Sequence, residues 1–115
     1  MTMTNLEAFN CIQLMNGLNE TGRLGYAIAK NMRKLADELK EYTQKRDELI
    51  MKYGTKENEQ YRIEPKNAKM FLKELEEYDD IEFEYAPHTV SEDIFCSGSL
   101  NSQQMYRLAW MVKEE

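Results

Sequence analysis

Residues 24–53 read LGYAIAKNMRKLADELKEYTQKRDELIMKY and contain no proline. Mostly apolar residues recur in this stretch at alternating spacings of three and four, which is the heptad a/d pattern of a packed helix. A glycine follows a cationic last turn and is suited to end that helix. The stretch therefore predicts one long helix from Leu24 to Tyr53. The positions of its a/d stripe are Gly25, Ile28, Met32, Leu35, Leu39, Tyr42, Arg46, Leu49 and Tyr53.

The predicted helix is long for the size of the chain. About thirty residues form a rod of ~45 Å, whereas a compact domain of 115 residues is only roughly 35 Å across. A first helix over residues 5–16 covers about half of the stripe, so the far half needs either a later helix of the same chain or a second copy. We predict that the far half takes part in self-association; its residues are Leu39, Tyr42, Arg46, Leu49 and Tyr53.

Arg46 is the one charged residue in this stripe. A buried arginine requires a carboxylate partner, so Arg46 is expected to pair with an acid across an interface. The alternative is a position at the rim of the helix contact, where its aliphatic part packs and its charge stays in water. On the exposed faces of the same helix, Glu41–Lys45 and Glu48–Lys52 have the spacing of ion pairs within one helix.

The remaining elements are shorter. Thr4 and Glu7 fit a capping box for the first helix, and Pro65 is placed to open a third helix. Strict alternation over residues 81–85 predicts a half-buried strand, and residues 61–63 predict another. Asn101 or Ser102 caps a last helix. We therefore predict a mainly α fold with a minor α+β part: a helical hairpin with one long central helix, a third helix, a short two-stranded β element and a C-terminal helix.

The chain length fits a single domain over residues 1–115. We expect the helical hairpin to occupy residues 4–54 and the smaller α+β part to occupy residues 60–113. The two cysteines, Cys11 and Cys96, lack the spacing of a metal site. They are expected to be reduced thiols, with a disulfide between them as the less favoured alternative.

The composition limits the classes of function. The net charge is −6, from 21 acidic and 15 basic residues, which argues against nucleic acid as the primary partner, because such domains need a basic surface. The N-terminal residues lack the basic and apolar segments of a secretory signal, and no apolar run approaches the ~20 residues of a membrane span. We therefore expect a cytoplasmic protein that does not contact a membrane.

One cluster of basic residues stands out. It comprises Arg23, Lys30, Arg33 and Lys34, and it is a candidate contact for a phosphate backbone or an acidic partner. The favoured alternative is ordinary salt bridging with the acids that follow on the same helix, namely Asp37, Glu38 and Glu41.

Acidic residues are dense between positions 74 and 84. Glu74, Glu77, Asp79 and Asp80 are candidates for a surface that binds a basic partner, although a solvated helix face explains the same pattern. The EF-hand order of oxygen ligands is absent, so no metal site is predicted. His88 and Cys96 form a conceivable thiol pair, but an exposed loop histidine is the favoured interpretation. The sequence contains no phosphate-binding or zinc-protease motif, so we expect neither an enzyme nor a cofactor.

Several segments together resemble a known group of proteins. They are GRLGYAIAKNMRKL (22–35), ELKEY (38–42), KR (45–46), ELI (48–50), KYG (52–54), YRI (61–63) and FLKEL (71–75). Together these segments resemble a family of short proteins of unknown function encoded by phages and prophages of Gram-positive bacteria. Members of that family open the last helix with Leu-Thr-Pro, where this chain has Leu100-Asn101-Ser102; asparagine caps a helix as well as threonine does.

The resemblance implies a virus-encoded protein in a bacterial cytoplasm, with a role in particle assembly or in manipulating the host. It supplies no catalytic residues. The leading hypothesis is a non-enzymatic, oligomerising interaction protein that binds its own copies and a phage or host protein. The alternative is a regulator of DNA transactions, which binds nucleic acid through the basic cluster or blocks a host DNA-binding protein through the acidic segment.

Overall fold

The computed structural model describes residues 1–114 and shows a mainly helical chain with two small antiparallel sheets. Thr4 caps the first helix by accepting the Glu7 N–H, and Asn101 forms a capping box with Gln104 at the last one. Over this range no helix is both long and apolar enough to cross a bilayer. The elements are β1 Thr2–Thr4, α1 Asn5–Asn16, α2 Gly22–Glu38, α3 Lys40–Tyr53, β2 Gly54–Glu57, β3 Gln60–Ile63, α4 Pro65–Asp79, β4 Glu82–Glu84, α5 Glu92–Phe95, α6 Ser102–Arg107 and a 3₁₀ turn at Ala109–Met111.

The long helix is interrupted at Leu39, so the prediction of one continuous helix from Leu24 to Tyr53 is wrong. Leu39 has φ −90° and ψ 12°, which lies outside the helical range of ψ. Its carbonyl oxygen accepts both the N–H and the hydroxyl of Thr43, each at 2.8 Å. Such a threonine side chain competes with the main chain and bends helices. The apolar spacing runs through this residue unchanged, so the interruption leaves no mark on the periodicity.

The two halves of the stripe pack against different helices of the same chain. α1 packs against α2, and α4 packs against α3. Tyr42 and Leu49 are each only 4% exposed, in one cluster with Phe71 and Leu75 of α4. The molecule is accordingly elongated, with extents of 49 × 30 × 23 Å. The far half of the stripe was expected to be covered either by a later helix of the same chain or by a second copy. The structure shows the first of these, with α4 as the covering helix.

This packing removes the argument for self-association through the far half of the stripe. Leu39, Tyr42 and Leu49 are buried inside the chain and present no surface to a second copy. Tyr53 is half-buried and meets the Phe71 ring edge-on, with centroids 6.4 Å apart. The Arg46 guanidinium carbon lies 4.5 Å from the centroid of the Phe9 ring. Arg46 therefore takes the rim position, where its charge stacks on an aromatic face.

The two strands predicted from alternation do not pair with each other. β4 pairs with β1, with Met3 opposite Phe83, and so joins the start of the chain to residues 82–84. β3 pairs instead with β2, through a two-residue turn in which Asn58 and Glu59 have positive φ. β2 is short and has no apolar side chain, so it shows no strand period, whereas the apolar–polar alternation of residues 1–4 is only four residues long. The predicted two-stranded element is therefore two separate two-stranded sheets.

Asn31 fixes the segment after β4 against α2. It is 0% exposed, and its Nδ2 donates to the carbonyl oxygens of Ala27 at 3.0 Å and His88 at 2.9 Å. Its Oδ1 accepts the His88 N–H at 2.9 Å and the Tyr85 hydroxyl at 2.7 Å. All four hydrogen-bonding positions of the amide are thus satisfied, which is the condition for burying it without penalty.

Replacement of Asn31 tests how much its side-chain hydrogen bonds contribute to the stability of the fold. We expect Asn31→Ala to lower the free energy of unfolding by about 2–4 kcal/mol, because it leaves the His88 N–H and the Tyr85 hydroxyl buried without their partner. Urea denaturation followed by circular dichroism measures the change. Asn16→Ala, at an exposed position of α1, is the matched control and is expected to stay within about 0.5 kcal/mol of the parent. Equal stabilities of the two variants would contradict the role given to Asn31.

Candidate functional site: an acidic cleft at the helix junction

An open cleft of about 510 Å³ lies where the junction of α2 and α3 faces β4 and the end of α4. Its volume is within the range of ligand-binding clefts. Aromatic and aliphatic side chains form its apolar part, and glutamates from two separate segments stand around them. The lining residues are Asn5, Glu38, Glu41, Tyr42, Lys45, Tyr78, Ile81, Glu82 and Phe83.

Main-chain pairing at the start of α1 holds one wall of the cleft in place. The Asn5 side-chain amide donates to the Tyr78 carbonyl oxygen at 2.9 Å, and the Asn5 N–H donates to the Ile81 carbonyl oxygen at 2.9 Å. The β1–β4 register then places Glu82 opposite Thr4. Ile81 remains 51% exposed. An exposed isoleucine beside glutamates suits contact with a partner better than contact with water.

The floor of the cleft is anchored by Tyr42. Its hydroxyl donates to the Asp79 carboxylate, and its ring meets Phe9 edge-on at 6.0 Å. Burial, followed by the hydrogen bond to Asp79, raises the pKa of Tyr42 to about 12. Tyr42 is therefore a neutral phenol that donates its hydrogen bond to the Asp79 carboxylate. The Asp79 carboxylate faces Tyr42.

The rim of the cleft carries more negative than positive charge. Glu38, Glu41 and Glu82 are all exposed. The one lining cation, Lys45, has its Nζ 5.3 Å from the centroid of the Tyr78 ring and 3.6 Å from Glu48 Oε2. Its charge is therefore shared with a glutamate outside the cleft. The combination of an apolar floor and an acidic rim favours a cationic ligand that carries an apolar group.

The predicted ion pairs within the long helix are wrong. Lys45 pairs with Glu48 rather than Glu41, and Lys52 pairs across to Glu74 of α4 at 3.1 Å rather than with Glu48. Contact between α3 and α4 draws the Lys52 side chain away from its own helix. Within residues 1–114, Glu41 is in no ion pair, and its carboxylate stands at the cleft.

The four acids predicted as one partner surface are divided by the structure. Glu74 accepts the Tyr53 hydroxyl at 2.6 Å and the Lys52 ammonium, and these hydrogen bonds lower the pKa of Glu74. Asp79 is bound by Tyr42, as described above. Glu77 on α4 and Asp80, which caps the C-terminal end of α4, are exposed. Two of the four candidates are therefore engaged by groups of their own chain.

The predicted basic cluster is also partly engaged. Lys34 donates to the Ala86 carbonyl oxygen, and its ammonium lies 5.3 Å from the centroid of the Tyr85 ring. Lys30 lies over the Tyr26 ring at 5.9 Å, while Arg23 and Arg33 are exposed. Among the described residues, none of the four cations forms an ion pair. The predicted salt bridging with Asp37, Glu38 and Glu41 is therefore wrong.

The thiols and the histidine lie apart from the cleft lining. Cys11 is buried and Cys96 is exposed, and both are free; burial raises the pKa of the Cys11 thiol. His88 is half-buried with its ring edge-on to Tyr26 at 5.6 Å, so the expectation of an exposed loop histidine is wrong. In the range 1–114, no group of three or more His, Cys, Asp or Glu side chains is placed to hold a metal ion.

The cleft itself was not predicted from the sequence. The sequence favours salt bridging for Glu38 and Glu41, and it places Glu82 within the half-buried strand predicted over residues 81–85. Their meeting depends on the interruption at Leu39 and on the pairing of β4 with β1, neither of which has a local signal. The alternation at residues 81–85 was the one sequence feature that pointed to this wall.

Comparisons with protein-family models, with curated proteins and with solved structures find no match to this chain.

Titration of the tyrosines tests the floor of the cleft. Burial, and for Tyr42 also the hydrogen bond to Asp79, raises the pKa of Tyr42 and Tyr85 from 10.0 to about 12. The folded state favours the neutral phenol, so this stabilisation is complete below about pH 10 and is lost as the pH rises from 10 to 12. Ultraviolet absorbance of tyrosinate should show two groups that titrate near pH 12, and Tyr42→Phe should remove one of them. Loss of both groups in that variant, or of neither, would contradict the assignment.

Proposed function

We propose that the protein is a non-enzymatic interaction protein that binds a cationic, partly apolar segment of a partner protein in the acidic cleft. The observation that carries this proposal is the meeting of three exposed glutamates, Glu38, Glu41 and Glu82, beside the exposed Ile81 of the cleft wall. Neither His88 nor either cysteine lines the cleft. The lining therefore offers charge and apolar area for recognition of a partner.

Two kinds of contact would contribute to the binding energy: ion pairs at the rim and an apolar contact beside Ile81 and Phe83. An exposed ion pair contributes about 0–1 kcal/mol, so the rim glutamates select a cationic segment and steer its approach more than they hold it. An apolar side chain placed beside Ile81 and Phe83 contributes about 1.5–3 kcal/mol when fully buried. The proposed ligand is therefore a segment rich in lysine or arginine with one apolar side chain as its anchor.

The sequence resemblance gives this proposal a setting. A virus-encoded protein in a bacterial cytoplasm would meet phage or host proteins, and basic segments are common in those that bind nucleic acid. In this proposal Glu38, Glu41 and Glu82 take the role of the acidic surface for a basic partner, for which the sequence offered Glu74, Glu77, Asp79 and Asp80. Blocking a DNA-binding protein by occupying its basic segment is one form this function takes.

Direct binding of nucleic acid has weaker support. Lys34 is held by the Ala86 carbonyl oxygen and the Tyr85 ring. Only the other three cations of the basic cluster are left to contact a nucleic acid, and the chain as a whole has a net charge of −6. The exposed Tyr26 beside Lys30 is the one feature that favours it, because aromatic rings stack on bases. A gel shift with a steep dependence on salt would support this alternative over the cleft.

A labelled peptide tests the proposal. The probe is a short synthetic peptide of lysines and arginines with one central leucine, measured by fluorescence anisotropy. We expect binding on the order of 10 µM, and a loss of about ten-fold or more in the Glu41→Lys/Glu82→Lys variant, because each change places a like charge at the rim. Ile81→Ser should weaken binding of the leucine peptide but not of an all-lysine peptide.

The matched control is Glu57→Lys/Glu59→Lys in the β2–β3 hairpin, which changes the net charge equally at exposed positions away from the cleft. This control should bind like the parent. Equal weakening in both double variants would show that overall charge alone attracts the peptide, and the cleft proposal would then be withdrawn.

A further inference from the structure

β1 occupies only one of the two edges of β4. The β1–β4 ladder is antiparallel. At its end, the Tyr85 N–H donates to the Met1 carbonyl oxygen at 2.7 Å, and the Tyr85 carbonyl oxygen accepts from the Met1 amino group at 2.9 Å. Such an exchange occurs at every second pair of an antiparallel ladder. Phe83 and Tyr85 therefore direct their main-chain groups to β1, whereas Glu82 and Glu84 direct theirs to the free edge.

Side chains of α2 bind the chain where it continues beyond β4. Lys34 donates to the Ala86 carbonyl oxygen. Asn31 binds both the N–H and the carbonyl oxygen of His88, each at 2.9 Å. In the described part of the chain, the main-chain groups of the two β4 glutamates have no comparable partner. The unpaired stretch of edge is therefore β4 itself.

The free edge of β4 adjoins the acidic cleft. Glu82 and Phe83 line the cleft of about 510 Å³, together with Glu38 and Glu41 from the junction of α2 and α3. An unpaired strand edge is a template on which another extended chain can pair, and this addition of a strand is a recurring mode of peptide recognition. The cleft therefore offers main-chain hydrogen bonds to a ligand in addition to its charges and apolar side chains.

We infer that the partner segment binds in extended form, as a strand added antiparallel to the free edge of β4. This inference rests on the proposed function and specifies how the cationic segment is held. Glu82 and Glu84 each exchange N–H and carbonyl hydrogen bonds with one residue of the segment, which gives about four main-chain hydrogen bonds. The length of β4 limits the pairing to a short stretch of the partner.

The register specifies which partner side chains fit. Residues directly opposite each other in paired strands place their side chains on the same face of the sheet. The two partner residues opposite Glu82 and Glu84 are therefore cations, since opposite charges stabilise such pairs. The residue between them lies opposite Phe83 and shares the face that carries Phe83 and Ile81, so it is apolar. The recognised segment has the order cation, apolar residue, cation.

A second copy of β4 is poorly suited to this edge. Both residues with free main-chain groups are glutamates, so antiparallel pairing of two β4 strands sets glutamate opposite glutamate. Like charges directly opposite each other are destabilising, and the net charge of −6 on each chain adds repulsion. The occupant of the edge is therefore a basic segment of a different protein.

Methylation of main-chain nitrogens in the peptide tests the added strand. The probe is a peptide with one central leucine and lysines on both sides. One isomer is N-methylated at the two lysines adjacent to the leucine, whose N–H groups point to β4 in the inferred register. The other is N-methylated at the leucine and at the second lysine after it, whose N–H groups point away. Fluorescence anisotropy should show a loss of about ten-fold or more for the first isomer and a change within about two-fold for the second.

Glu84→Pro tests the same edge from the side of the protein. The Glu84 N–H is not used in the β1–β4 ladder, so proline removes it and blocks the edge while the ladder is kept. The peptide should bind about ten-fold or more weakly to Glu84→Pro than to Glu84→Ala. Glu84→Ala is the matched control because it removes the same carboxylate. Far-ultraviolet circular dichroism confirms that both variants are folded.

The outcomes separate this inference from the proposed function. Equal binding of the two methylated isomers would overturn the added strand while the cleft proposal stands. A loss confined to the isomer methylated at leucine would overturn the antiparallel register in the same way. An unmethylated peptide that fails to bind would overturn both proposals. A dimer in sedimentation equilibrium that Glu84→Pro disperses would show that a second copy holds the edge, and it would also overturn the inference.

Discussion

Burial of the a/d stripe on the long helical segment is the constraint on which the rest of the structure depends. The stripe extends from Ile28 to Tyr53, and no single short helix covers that length. The chain resolves this by interrupting the segment at Leu39, with Thr43 bound to the Leu39 carbonyl oxygen. α1 then covers the first part, and α4 returns to cover the second. Leu39 itself is 0% exposed at the junction.

The cleft results from the same interruption of the helical segment and the same return of α4. The interruption brings Glu38 and Glu41 to one side of the opening, and the return of α4 brings Tyr78 and Ile81 to the other. The β1–β4 ladder and the Asn5 hydrogen bonds fix that second side, while Asn31 holds the following residues to α2. Each of these distant segments is thus tied to the helices by hydrogen bonds of its own. This favours recognition of a partner by a preformed surface.

The sequence predicted the elements with local signals better than the way in which they meet. Thr4, Pro65 and Asn101 mark helix starts by their own chemistry, and the structure confirms them. The interruption at Leu39 was missed because a heptad stripe continues through a one-residue change in ψ. The pairing of β2 was missed because its four residues include no apolar side chain, and that of β1 because a short alternation does not show which strand it joins.

The same contrast between local signals and tertiary contacts holds for the candidate sites. Charge clusters are visible in sequence, but which charges are engaged depends on partners far away, as with Lys34 at Ala86 and Asp79 at Tyr42. Asn31 carries no signal of its own in the sequence, and only the fold shows that its side-chain hydrogen bonds are made with residues 27, 85 and 88. Such tertiary pairing has no sequence period to reveal it.

The most direct test of this account is the free energy of unfolding of Leu49→Glu, measured by urea denaturation at two widely separated protein concentrations. Leu49 is 4% exposed beneath α4, so a glutamate there should cost about 3–5 kcal/mol or unfold α3 and α4 outright, equally at both concentrations. A variant that keeps the parent's stability as a monomer, and loses only an assembly, would show that a second copy covers the stripe and would contradict the fold described here.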